Sequence, residues 1–288
     1  SAKAVFEEVD AALGQDLSGL MWSGAEDELK LTTNTQPALM AVSVAAMRAL
    51  EEAHGIGADK ATFIAGHSLG EYSALASAGA ISVGDCAKVL RIRGNAMQDA
   101  VPAGEGAMAA LLGASPEQAA ALCAAGAIEG PCEIANDNAP GQIVISGAKA
   151  AVELAISGAK EAGVKKAVLL PVSAPFHCSL MQPAADAMSE ALSKIEIKAP
   201  AAPLVANVTA TAGSDPEAIR NQLVAQVTGQ VRWTESVQFM AAEGVALTIE
   251  AGAGKVLSVM NRRTVRALEG LTMGSPEEIN AVAERLNA

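Results

Sequence analysis

Ala61-Thr62-Phe63-Ile64-Ala65-Gly66-His67-Ser68-Leu69-Gly70 decides the reading of this chain. An apolar run suited to a buried strand enters a Gly-x-Ser-x-Gly turn, and a helical segment from Glu71 to Ala78 follows. That is the setting of a nucleophile elbow. Glycines two before and two after the serine permit a sharp turn and a close helix–strand crossing. The hydroxyl of Ser68 is then presented at the C-terminal edge of the sheet, and the amide of Leu69 points toward an incoming carbonyl. The bland reading is a purely structural turn, because small residues also fill tight strand–helix crossings.

Composition narrows the classes. Hydrophobic residues are 51% of the 288 and charged residues 18%, which excludes a disordered chain. Aromatics are only 2%, so alanine, valine, leucine and methionine do the packing. The apolar stretch Ala38 to Met47 is cut by Arg48, short of the ~20 residues a membrane span needs. Acids at Glu7 and Glu8 stand where a signal peptide would be apolar, so the expectation is a cytoplasmic protein without a membrane partner. Twenty Lys and Arg against 32 acids give a net charge of −12, which argues against nucleic acid. Cys86, Cys123, Cys132 and Cys178 form no Cys-x-x-Cys pair and have no ligand-like histidine spacing. They read as small buried residues, with neither zinc nor a disulfide framework.

The pattern along the chain is α/β. Helices are expected at about Ala4–Leu13, Gln36–His54 and Val83–Met97, with Pro102 and Gly104 as punctuation. A strand Gly106–Gly113, a helix from Ser115-Pro116-Glu117 to Ala125, strands Cys132–Ala135 and Gln142–Ser146 around the turn Asn136–Gly141, a helix Ala148–Ala162 and a strand Lys166–Leu170 follow. This β-α-β-β-α-β order is the ferredoxin-like split unit. The expected organisation is a hydrolase-like, parallel-sheet large domain from residues 1–102 and 172–288, with a ferredoxin-like small domain, 103–171, inserted. Helices at Ser179–Leu192, Pro216–Gln226, Thr234–Glu243 and Pro276–Leu286 and strands at Leu204–Asn207 and Ala246–Glu250 complete the reading, and Gly252-Ala253-Gly254 opens a further helix.

A nucleophilic serine needs a general base, usually histidine, and the chain has three. His54 precedes Gly55 at a helix C-terminus, where it complements the dipole. His67 adjoins Ser68 in the elbow, so its side chain projects elsewhere. His177, in Ser173-Ala174-Pro175-Phe176-His177, lies where the chain returns to the large domain. It is the candidate base, against the plainer reading of a loop histidine at a domain junction. No acid stands out to orient it, which leaves a backbone carbonyl for that task.

Together these residues resemble the malonyl-CoA:acyl carrier protein transacylases of fatty-acid synthesis, over essentially the whole chain. Gly66–Tyr72 is similar to the family's nucleophile motif, and Thr35-Gln36-Pro37-Ala38-Leu39 to the segment whose glutamine lines the pocket. Arg93-Gly94-Asn95-Ala96-Met97-Gln98 resembles the family's Arg-Gly-x-x-Met-Gln, whose arginine holds the acyl carboxylate. Pro171–His177 resembles the histidine motif, and Asn138–Gln142 fits within the insert. The resemblance implies Ser68 and His177 as catalytic residues and Leu69 as oxyanion donor. It implies Arg93, Gln36, Met97 and Asn138 as substrate-binding residues, with the main-chain carbonyl of Gln226 orienting the histidine. It implies transfer from malonyl-CoA to acyl carrier protein, with no cofactor and no metal. A guanidinium fork suits a carboxylate on physical grounds as well.

Two departures from the pattern stand out. Family members begin with a strand and a Gly-Gln-Gly loop whose glutamine amide completes the oxyanion hole, whereas this sequence starts about where the next helix should be. Either the sequence is incomplete there or an edge of the site is lost, and an oxyanion donor is worth ~2.7–4 kcal/mol. Ala253 stands where proline is common, with a small local effect expected. The rival readings are a serine thioesterase or esterase, with water as acceptor, and a non-catalytic carrier-binding relative. Arg93 and the ferredoxin-like insert favour the transferase. Because carrier proteins are acidic and so is this chain, docking needs a local basic patch. Lys165-Lys166 and Arg262-Arg263 are the candidates, against ordinary solvated charge.

Overall fold

The structure, a computed structural model, describes residues 1–172 and 174–288; Ser173 of the histidine motif lies outside the described residues. Helix α1 (Ala2–Leu13) is capped by the Ser1 side chain and closes on Gly14. Two short helices, α2 (Leu17–Ser23) and α3 (Glu26–Leu29), were not expected from the sequence pattern. Helix α4 (Thr32–His54) starts earlier than Gln36 and ends on Gly55, whose φ of 69° stops it.

Strand β1 is confined to Ile64–Ala65 and is half-buried, shorter and less buried than the expected 61–65 run. It has a partner on one side only among the described residues, pairing parallel with β6 (introduced below), so Ala61 and Thr62 remain exposed. Helix α5 (Leu69–Ser77) leaves the elbow directly, and α6 (Val83–Asp99) starts on a Ser82 cap.

Next come β2 (Gly106–Leu112), α7 (Pro116–Gly126), β3 (Cys132–Ala139), β4 (Gln142–Ala148), α8 (Lys149–Ser157) and β5 (Lys166–Leu169). Helix α7 opens on a capping box of Ser115 and Gln118. The sheet order is β5-β2-β4-β3 with every neighbouring pair antiparallel, the ferredoxin-like order. Strand β3 continues through Asn136-Asp137-Asn138-Ala139, which composition assigns to a turn. These residues stay extended because Asn136 and Asp137 pair with a fifth strand, β8 (below), and Thr234 Oγ1 lies 2.7 Å from Asp137 Oδ1. Only Pro140 and Gly141 turn.

The chain then forms α9 (Gln182–Ser193), after a 3₁₀ turn at Ser179–Met181, then β6 (Leu204–Val205), β7 (Ala212–Gly213) and α10 (Pro216–Thr228). It ends with β8 (Val231–Arg232), α11 (Trp233–Ala242), β9 (Leu247–Ala251), α12 (Val256–Thr264), β10 (Glu269–Met273) and α13 (Pro276–Asn287). Among the described residues, parallel pairing is limited to β1 with β6, β9 with β10, and the edge strand β8 with β3. One core gathers Val5, Met40, Val44, Tyr72, Leu90 and Leu223. A separate core, including Leu111, Ile143, Ile145 and Val152, lies between the antiparallel sheet and its two helices.

Candidate active site

The elbow forms as its glycines dictate, though for different reasons. A β-carbon on Gly66 would stand 1.9 Å from the Gly70 carbonyl oxygen, so only glycine lets strand and helix cross there. A β-carbon on Gly70 meets nothing; it is the Gly70 backbone that needs the approach, which corrects the expectation that both glycines clear space. Ser68 sits at φ 53° and ψ −113°, a strained conformation for a non-glycine residue. Asn207 holds it, donating from Nδ2 to Gly66 O at 2.7 Å and accepting from Ser68 N at 2.8 Å. Leu69 is the first residue of α5, so its N–H belongs to the turn that lacks intrahelical acceptors.

His177 is brought to the serine, with Nε2 2.8 Å from Ser68 Oγ. Its Nδ1 faces two carbonyl oxygens, Gln226 O at 2.9 Å and Gly229 O at 3.2 Å. Carbonyls only accept, so Nδ1 carries the proton and Nε2 is left to accept from the serine hydroxyl. Both groups that Nδ1 faces are backbone, and the expected Gln226 carbonyl is one of them. Burial, and secondly the Arg93 cation, lower the His177 pKa from 6.5 to about 3, keeping the ring neutral. His177 itself has a φ of 58°.

Arg93 lies on α6 directly behind Ser68. Gly94 makes this possible: a β-carbon there would come within 2.6 Å of Thr33 Cα, so α6 lies hard against the start of α4, beside Gln36. Arg93 donates to Gln36 Oε1 at 2.8 Å, Gln226 Oε1 at 2.8 Å and Ser68 Oγ at 3.2 Å, and sits over the Tyr72 ring. It is 1% exposed and makes no ion pair among the described residues. Burial lowers its pKa without discharging a guanidinium. A buried cation held only by neutral acceptors is a carboxylate site in waiting.

The remaining expected residues divide. Gln36 and Met97 join this cluster, with Gln36 Nε2 3.9 Å from Met97 Sδ. Asn138 does not bond to the serine–histidine pair; its Oδ1 lies 2.7 Å from His67 Nε2, and the His67 ring tilts onto Trp233. His54 ends α4, exposed, with Asn280 as partner. All four cysteines are buried and free. Lys165, Lys166, Arg262 and Arg263 are exposed. Two of them converge: Lys165 covers Gly113, Gly113 N donates to Gly141 O at 2.7 Å, and the Arg263 guanidinium lies against Gly141. Sequence reasoning missed Asn207 and Glu71. Asn207 only marked a strand end, and an acid in the first turn of a helix reads as a dipole partner, with no sign of burial.

A family described as acyl transferase domain matches residues 2–280. The malonyl CoA-acyl carrier protein transacylase of Escherichia coli K12 is 44% identical over 279 residues, 97% of this chain and 89% of that protein. The chain belongs to this acyl transferase family, among its malonyl-CoA:acyl carrier protein transacylases. An acyl-carrier-protein-S-malonyltransferase from Bartonella henselae superposes with a TM-score of 0.97 at 53% identity, covering 100% of this chain and 91% of that one. A type II PKS acyl-carrier protein has been solved in complex with its malonyl-transacylase, which matches with a TM-score of 0.94 at 41% identity, over 99% of this chain and 91% of that one. No helix among the described residues is long and apolar enough to cross a membrane, and no group of three or more His, Cys, Asp or Glu among them is placed to hold a metal ion.

Proposed function

We propose that this chain moves a malonyl group from coenzyme A to the phosphopantetheine thiol of an acyl carrier protein, through an acyl-enzyme on Ser68. The observation that supports it most is the shared hydroxyl: Ser68 Oγ meets a neutral base and a buried cation at once. The Ser68 proton passes to His177 Nε2 as Oγ attacks the thioester carbonyl. The Leu69 amide stabilises the oxyanion, the carbon–sulfur bond breaks, and the coenzyme A thiolate takes the proton from His177. The carrier thiol then gives its proton to His177 and attacks the Ser68 ester, restoring the serine.

Arg93 holds the malonyl carboxylate, supported by Gln36, Gln226 and Met97, and Asn138 acts through His67. This chemistry draws on its two substrates and needs no further cofactor. The product is the activated two-carbon donor with which fatty-acid synthesis extends an acyl chain, and the cytoplasm is the compartment that fits these substrates. Residues 103–171 act as a small domain set into 1–102 and 172–288, with its own core supporting that division. The basic surface where Lys165 and Arg263 converge, with Lys166 and Arg262 beside them, receives the acidic carrier.

The experiment is a chase. Enzyme loaded with labelled malonyl group is mixed with holo-carrier protein or with buffer alone. Rapid appearance of label on the carrier, with slow release in buffer, is the expected result. Equal release in both makes the chain a thioesterase.

A further inference from the structure

Glu71 is fully buried, lies on the inner side of α5, and plays no part in the chemistry above. Its Oε2 accepts from Gln226 Nε2 at 2.6 Å and from Asn207 N at 3.4 Å. Those two residues are the ones that hold the strained serine. Asn207 Oδ1 takes the Ser68 N–H, and Gln226 Nε2 donates to the Ser68 carbonyl at 3.0 Å. Gln226 also reaches the other two members of the site, with Oε1 on Arg93 and its main-chain oxygen on His177.

We propose that Glu71 is a positioning residue, a buried carboxyl anchor that fixes the Gln226 amide and through it sets the geometry of Ser68 and Arg93 together. The inference rests on the malonyl-transfer reading of Ser68 and Arg93. The logic is one of donor counting. The Gln226 amide has two hydrogens, and the two shortest contacts, to Glu71 Oε2 and Ser68 O, take them, with Asn207 Oδ1 a longer third neighbour at 3.4 Å, so the amide oxygen is left facing the guanidinium. A carboxyl group offers an acceptor oxygen to the hydrogen directed at Glu71 in either protonation state, and the bond strengthens about twofold where the group ionises. The charge that acts on Glu71 is Arg93 from α6; Tyr72, next to it on its own helix, is a buried phenol whose pKa burial pushes up, so it stays neutral. Desolvation opposes ionisation and raises the Glu71 pKa, so the carboxyl is held at a cost that a merely space-filling residue would avoid.

The test is a double-mutant cycle of Glu71→Met and Gln226→Met, read as the single-turnover rate of Ser68 acylation by malonyl-CoA and by acetyl-CoA. Gln226→Met keeps the main-chain carbonyl that orients His177. Glu71→Met is expected to slow malonyl transfer roughly tenfold to hundredfold, as small misplacements at a reacting centre do, and to lower the malonyl-to-acetyl ratio. The double variant should match Gln226→Met alone within about twofold, because Glu71 acts through an amide that is already gone. Losses that multiply, or a Glu71→Met protein acylated at the wild-type rate, overturn the proposal. So does an equal slowing of both acyl groups, the mark of a structural role. Should Glu71→Met fail to fold, the comparison of the double variant with Gln226→Met still decides. Replacing both partners strands neither end of the Glu71–Gln226 bond, and the Asn207 N–H and Arg93 Nη2 that lose an acceptor lose the same one in the corresponding single variant. A wild-type chain that takes no malonyl group on Ser68 contradicts the underlying reading instead.

Discussion

Arg93 Nη2 lies 3.2 Å from Ser68 Oγ, the hydroxyl that also lies 2.8 Å from His177 Nε2. One oxygen therefore accepts from a cation and donates to a base. In the proposed reaction a malonyl carboxylate, a stronger acceptor for that guanidinium than a serine hydroxyl, takes the Arg93 bond and frees a serine lone pair for attack. Arg93→Ala should accordingly change which acyl group is preferred. A hydrogen bond to a charged group contributes about 1.5–3 kcal/mol, so malonyl preference over acetyl should fall roughly tenfold to hundredfold. Competition between malonyl-CoA and acetyl-CoA measures this, and equal losses for both would make Arg93 structural.

His177→Ala should slow acylation by roughly 10²–10⁴ in a protein that still folds, the usual contribution of a general base. A larger loss in His67→Ala would move the base to His67, whose ring nitrogen is instead engaged by Asn138.

The depressed His177 pKa has a consequence for pH. With the ring held neutral down to about 3, wild-type acylation should show no fall centred on the ordinary 6.5 of histidine. The folded protein binds fewer protons here than the unfolded chain, so this group's contribution to stability is present above 6.5 and is lost as pH falls toward 3. A pH–rate profile of single-turnover acylation reads the first effect. A fall in rate with a midpoint near 6.5 that His177 alone explains would be contrary.

Glu71 has the opposite sign. Its pKa is raised from 4.5 to about 7 by burial, so the folded protein keeps a proton that the unfolded chain has released between those values. Stability from this group is full below 4.5 and declines as pH rises to about 7, by on the order of 3 kcal/mol. Glu71→Gln cannot titrate. Urea unfolding at pH 5 and pH 8 should therefore show the variant gaining on the wild type at the higher pH. A constant difference between the two proteins would place the Glu71 carboxyl outside the environment described.

Much of this site was legible in the sequence because local rules wrote it. Gly66-x-Ser68 demands an elbow, whereas Arg93 was legible only through the resemblance, and the close Gly94 contact that places it emerged in the structure. The ferredoxin-like unit followed from its order of periodic segments. What was hidden depends on contacts far apart in sequence. Asn136–Ala139 has turn composition and becomes strand because β8 pairs with it. Asn207 and Glu71 carry no local sign of their roles, since Asn207 reaches Ser68 across 139 positions and Glu71 is buried by a helix that arrives later in the chain. The short α2 and α3 are too brief for periodicity to reveal.

Reversing Arg262 and Arg263 to glutamate tests the carrier surface. Both are exposed at the end of α12, and the Arg263 side chain reaches the Gly141 turn, which is hydrogen-bonded to Gly113, the residue Lys165 overlies. Transfer to carrier protein should fall steeply and lose its salt dependence, since screening acts on exposed charge pairs. Acylation by malonyl-CoA should change much less. If both steps fall together, or neither does, the carrier docks elsewhere.

The central claim is that Ser68 carries the malonyl group, and intact-mass measurement after exposure to malonyl-CoA tests it most directly. Wild-type protein should gain one malonyl adduct that mapping places on Ser68, and Ser68→Ala, which leaves the elbow without a nucleophile, should gain none. An undiminished adduct on Ser68→Ala, or no adduct on the folded wild type, would contradict the account.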